Sequence, residues 1–110
     1  MSLTAPPHQV SAMTPDFNEL ASIANDLRID IIRMLHKAGS GHPGGSLGMA
    51  DVFTTLWFGG HMNVRPDDPT WAARDRFVLS NGHICPVLYA ILARLGYFPR
   101  DDLWTLRKLG

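Results

Sequence analysis

This 110-residue chain carries almost no electrostatic signature. Ten basic residues balance ten acidic ones, and the formal net charge is zero. It has no basic patch of the kind that holds nucleic acid and no acidic tail. A single cysteine, Cys85, is present. One cysteine closes no disulfide within the chain, so a reducing compartment is the simpler setting. Neither Cys-x-x-Cys nor His-x-x-x-His occurs, which removes the usual framework for zinc and similar metals. The longest apolar run, Ile84 to Leu95, contains Arg94 and is too short to cross a bilayer. The N-terminus lacks an apolar stretch of signal-peptide length. These absences lead to the expectation of a cytoplasmic protein with neither nucleic acid nor membrane as partner.

What is present suits a small globular domain. Hydrophobic residues make up 45% of the chain and charged residues 18%, enough for one modest core. Residues 1–15, rich in Pro, Ser and Thr and without periodicity, read as a flexible arm. From Asp16 onward the pattern is helical. Leu20, Ile23, Ala24, Leu27, Ile31 and Leu35 recur at three- and four-residue steps, with Arg28, Asp30, Arg33 and Lys37 mostly on the opposite face. Gly39 is a natural stop. A second helix is expected after a glycine cluster, with Leu47, Ala50, Phe53 and Trp57 on a broad apolar surface and Gly59-Gly60 at its end. His61 to Trp71 is a loop by its prolines and aspartates. Arg76 to Ser80, "RFVLS", reads as a short buried strand. The segment from His83 to Tyr97 is apolar nearly all round and suits a buried helix, with Pro86 in its first turn. A last short helix is expected between Pro99 and Gly110. Asp101 and Asp102 stand at its start and Arg107 and Lys108 at its end, as the helix dipole favours.

Four helical patterns and one strand do not complete a sheet. If the strand belongs to a parallel sheet, its neighbours lie outside these residues. The fold class expected is therefore α/β, with residues 16–110 as an incomplete opening segment.

Two stretches carry candidate chemistry. The first is "GSGHPGG", Gly39 to Gly45. It fits G-x-G-x-x-G, but a dinucleotide loop follows a strand and opens a helix, and here the glycines follow a helix. A plain helix–helix connector remains an alternative. Such a connector has no need of Ser40, His42 and Pro43 set between glycines. Pro43 fixes the backbone just after the histidine, and the glycines let a ligand approach the main chain, so the stretch presents an imidazole rigidly. The second is "LSNGH", Leu79 to His83, where a strand is expected to give way to a helix through Asn81-Gly82. Ligands of open α/β sheets bind at such places, and helix-start N–H groups attract phosphate. An ordinary strand–turn–helix junction is the alternative. His8 and His61 fall in expected loops, and His36 suits the end of the first helix. Cys85 reads as core, and Trp57, Trp71 and Trp104 as packing.

Taken together, "HKAGSGHPGGSLGMADV" (His36 to Val52) and "DPTWAARDRFVLSNGH" (Asp68 to His83) closely resemble the two opening motifs of transketolase. "LYAILARLGYFPRDDLWTLRKLG" continues the same pattern to Gly110. Ile84, where single-chain enzymes usually have a small residue, is more similar to the split transketolases, whose N- and C-terminal halves are separate chains. The resemblance implies a thiamine diphosphate and magnesium enzyme that moves a two-carbon ketol unit from a ketose phosphate to an aldose phosphate. It implies sugar phosphates as substrates, a homodimer, and a C-terminal transketolase half on the same or another chain. By motif, His42 matches the family histidine that faces substrate oxygens, so the resemblance implies a catalytic role for His42 and substrate binding by His42 and Ser40. His83, with Asn81 and Gly82, matches the region that reaches the cofactor diphosphate. The family's metal motif, Gly-Asp-Gly followed by Asn, does not occur here, so the resemblance implies no metal ligand in these residues and magnesium ligands downstream of Gly110. Two other readings stand beside this one. The chain could be the related segment of dihydroxyacetone synthase, phosphoketolase or deoxyxylulose-phosphate synthase, or a non-catalytic helical module for assembly or regulation.

Overall fold

A computed structural model describes residues 16–108; the arm expected over 1–15 lies outside them. Three α-helices pack pairwise around one core: α1 (Phe17–Ala38), α2 (Pro43–Phe58) and α3 (Cys85–Leu95). Helix α1 starts where Asp16 accepts a hydrogen bond from the Glu19 N–H at 2.8 Å, satisfying one of the free donors at a helix start. It ends at Gly39, whose φ of 77° is left-handed. The interior residues fall where the periodicity puts them. Leu27, Ile31 and Met34 of α1 and Val87 and Ile91 of α3 are completely buried. Each such side chain contributes about 1.5–3 kcal/mol by leaving water. Helix α3 closes with Gly96 at φ 98° and a Tyr97 N–H bond to the Leu92 carbonyl at 3.0 Å, the six-to-one bond of a Schellman ending.

Four expectations need correction. First, no strand forms among the described residues, and 76–80 is irregular. A strand is defined by its ladder, and nothing here supplies a second edge. The alternation is nonetheless visible, because Phe77 and Leu79 are half-buried while Arg76, Val78 and Ser80 are exposed. Phe77 anchors the segment on α2, edge-on to Phe53 at 5.5 Å and to Trp57 at 5.4 Å between ring centres. Second, α2 begins at Pro43, inside the glycine cluster rather than after it. Proline is at home at the first helical position, where its missing N–H has no helical partner to lose. Third, His83 belongs to a 3₁₀ turn, Gly82–Ile84, and the α-helix starts only at Cys85. Fourth, the last helix is a 3₁₀ segment, Arg100–Thr105.

One charged residue also departs from its expected face. Asp30 of α1 is buried and accepts from Arg100 Nη2 at 2.6 Å and Nε at 3.1 Å. This fork pins the 3₁₀ segment to α1 and holds the Arg100 guanidinium above the usual arginine range, the hydrogen bond to Asp30 being the main cause. Weaker exposed pairs, Arg28 to Asp51 at 2.7 Å and Arg94 to Asp26 at 3.0 Å, link α1 to α2 and α3. No helix among the described residues is long and apolar enough to cross a membrane.

Candidate functional site

The glycine-rich turn is built by its backbone. Gly39 and Gly41 have φ of 77° and 129°, values that residues with a Cβ rarely adopt. At Gly41 a Cβ would also lie 2.5 Å from Leu35 Cδ2 and 3.0 Å from Arg107 Nη1. The turn is therefore closed from below by α1 and from the side by Arg107. His42 follows as the residue capping α2, with φ −115° and ψ 108° and no capping hydrogen bond from its side chain. Its imidazole is exposed, so the helix start does not consume it.

The second stretch sits against the first. A Cβ on Gly45, in the opening turn of α2, would stand 2.7 Å from Ile84 Cγ2. Only a hydrogen atom fits there, so α2 and the Gly82–Ile84 turn approach more closely than a side chain allows. His42 lies three residues before Gly45, and His83 immediately before Ile84. The contact thus brings the two exposed histidines onto adjoining turns. An open hollow beside it is lined by Ser80, Asn81, Gly82 and His83. A Cβ on Gly82 would meet nothing within 4 Å. The lining offers hydroxyl, amide and imidazole groups and no carboxylate, a donor set that suits an anion such as a diphosphate.

A magnesium centre fares differently. Among the described residues, no three His, Cys, Asp or Glu side chains gather to hold a metal ion. These residues do not fit magnesium on their own, since that ion takes oxygen ligands, usually carboxylate and phosphate.

Ser40 is the sequence-derived site residue whose surroundings differ most from expectation. Its carbonyl oxygen accepts from Arg107 Nη1 at 2.8 Å, and its hydroxyl from the same nitrogen at 3.2 Å. Sequence reasoning assigned Arg107 to a helix dipole and missed this contact, which spans 67 positions. It also missed the Gly45–Ile84 approach. The doubled glycine was the available signal, but nothing in the pattern names the residue that faces it.

With this geometry in place, comparison with known proteins is informative. Residues 19–110 match the family described as "Transketolase, thiamine diphosphate binding domain". Over 88 residues the chain is 48% identical to Transketolase 2 of Vibrio vulnificus, 47% to Transketolase 1 of Vibrio cholerae and 44% to Transketolase 2 of Escherichia coli. Each alignment covers 79% of this chain but only 13% of the relative. The chain belongs to the transketolase thiamine diphosphate-binding domain family. That domain is α/β, and the helices and loops described here are compatible with its opening segment.

Proposed function

We propose that the chain supplies the opening part of the cofactor domain of a transketolase, which moves a two-carbon ketol unit from a ketose phosphate to an aldose phosphate. The observation that supports this reading is the close approach of Gly45 to Ile84, which packs the opening turn of α2, capped by His42, against the Gly82–Ile84 turn that contains His83. Thiamine diphosphate, when bound, supplies the electron sink for the carbon–carbon bond that breaks and forms. The chain's residues bind and orient. His83, with the Asn81-Gly82 turn, accommodates the diphosphate. His42 donates to substrate oxygens that gain charge during cleavage, and Ser40 shapes the turn beside it. Magnesium ligands and the remaining domains come from outside these residues, on the same chain or on a separate C-terminal half. A homodimer in the cytoplasm is the natural setting. The 110 residues alone are not expected to be active.

The test uses the assembled enzyme containing this segment. His42→Ala is expected to lower kcat by roughly a hundredfold or more, the typical value of one donor to a developing oxyanion. Its apparent cofactor affinity should stay near normal. His83→Ala removes a contact made equally before and during reaction, so cofactor affinity falls first. Steady-state kinetics at saturating and limiting cofactor separate the two. Full rescue of His42→Ala by excess cofactor, with none for His83→Ala, shows the roles are reversed.

A further inference from the structure

We infer that Arg107 is a positioning residue that straps the glycine turn carrying His42, acting through Ser40. The inference rests on the reading of His42 given above. Three observations lead to it. Arg107 Nη1 binds both oxygens of Ser40, at 2.8 and 3.2 Å, and so holds the turn's backbone as well as its side chain. The same guanidinium packs against Gly41, where a Cβ would stand 3.0 Å from Nη1, so the turn is seated on the arginine. The third is the backbone of Arg107. Leu106 at φ −51°, ψ 127°, Arg107 at φ 60°, and the Lys108 N–H bonded to the Thr105 carbonyl at 3.0 Å define a type II turn. The third position of that turn requires positive φ and ordinarily takes glycine or asparagine. Arg107 is the one non-glycine residue with positive φ among the described residues. A bulky residue held where glycine belongs is costly, and such strain persists where surrounding contacts over-determine it. The contact that accounts for it here is the one to Ser40.

The function of the strap follows from what His42 lacks. Its side chain caps no helix N–H, so the imidazole is placed by the backbone of residues 39–43. Two glycines with positive φ leave that backbone little stiffness of their own. A charged donor on the Ser40 carbonyl restores it.

The test compares Arg107→Gly and Arg107→Lys in the complete protein. Glycine suits the turn, so Arg107→Gly removes the guanidinium while relieving the backbone, and loss of folding does not confuse the result. In the cofactor-free protein, hydrogen–deuterium exchange of the amides of residues 39–42, ahead of α2, is expected to quicken about tenfold or more, the scale of a hydrogen bond to a charged group. Protection inside α1 and α2 should be retained. Arg107→Lys keeps one cationic donor and should recover most of the protection. In the assembled enzyme, Arg107→Gly should lower kcat about tenfold at unchanged apparent cofactor affinity. Unchanged exchange at 39–42, or equal acceleration throughout α1 and α2, overturns the strap. Lost cofactor affinity without loosening of the turn also overturns it, because Arg107 then contacts the ligand directly. A loosened turn with normal kcat leaves the strap standing and removes instead the reading of His42.

Discussion

Gly45 and Gly48 lie one turn apart in α2, yet their replacements should have opposite effects. A Cβ on Gly48 meets nothing within 4 Å, so Gly48→Ala should stabilise by about 0.4–1 kcal/mol by restricting the unfolded chain. At Gly45 the same methyl meets Ile84 Cγ2 at 2.7 Å, and Ile84 is a buried side chain with little freedom to move. Overpacking of this kind costs about 1–3 kcal/mol, which exceeds the gain in helix propensity. Urea unfolding of both variants checks this, and destabilisation by Gly48→Ala or stabilisation by Gly45→Ala contradicts it. The contrast matters for function because the Gly45–Ile84 contact is what draws the two histidine turns together. Gly45→Ala should therefore also alter activity in the assembled enzyme, while Gly48→Ala leaves it intact.

The 3₁₀ segment Arg100–Thr105 is held by the Asp30 fork and by Leu103, which is buried in the core. It leads directly into the turn that carries Arg107. Arg100→Ala leaves the Asp30 carboxylate buried without its partner. For a wholly buried pair that loss runs to about 3–5 kcal/mol. The Arg100 side chain is 51% exposed, so water screens the pair, and about 1–2 kcal/mol is the expected cost. Calorimetric melting reads it. Loss of no more than a surface pair's worth would mean that Asp30 is reached by water once Arg100 is gone. The same variant should loosen residues 100–108 in hydrogen exchange before α1 or α3 responds.

Two properties belong to the fold taken together. Burial pushes the Tyr97 phenol above its ordinary value, partly offset by the nearby charge of Arg74. Tyr89 is raised as well, mainly through its hydrogen bond with Cys85. A phenol whose folded pKa exceeds its unfolded one, near 10, contributes stability that is fully present below pH 10. That contribution fades as pH rises through the folded value, because the unfolded state then releases its proton more readily. Melting temperature should therefore fall above about pH 10, and Tyr97→Phe should make the fall shallower. An unchanged slope in the variant removes Tyr97 as a cause. The second property is surface. Phe17, Val78 and Val52 are large apolar side chains exposed by 89%, 85% and 55%. Most of α3, by contrast, is covered within the fold, with Val87, Ala90 and Ile91 fully buried. Exposed apolar surface favours association, so the 110-residue chain is expected to form dimers or larger species, or to dissolve poorly. Monodisperse monomer in light scattering, without dye binding, contradicts that expectation.

Local pattern was enough to reveal the helices, their glycine ends and the buried face of α1, because three- and four-residue periodicity is set by backbone geometry that any packed helix shares. It marked His42, set between Gly41 and Pro43, and His83, after Asn81-Gly82, as candidates, and the kinetics of their alanine variants decide their roles. It misjudged residues 76–80 because a strand depends on a partner edge, and alternation in one segment carries no information about that partner. It assigned Asp30 to the outer face because periodicity does not reveal that Arg100, 70 positions away, meets it. The contacts of Gly45 with Ile84 and of Arg107 with Ser40 were illegible for the same reason. They join residues far apart in the chain, and only the packing of α1, α2 and the 3₁₀ turns brings those residues within reach of one another.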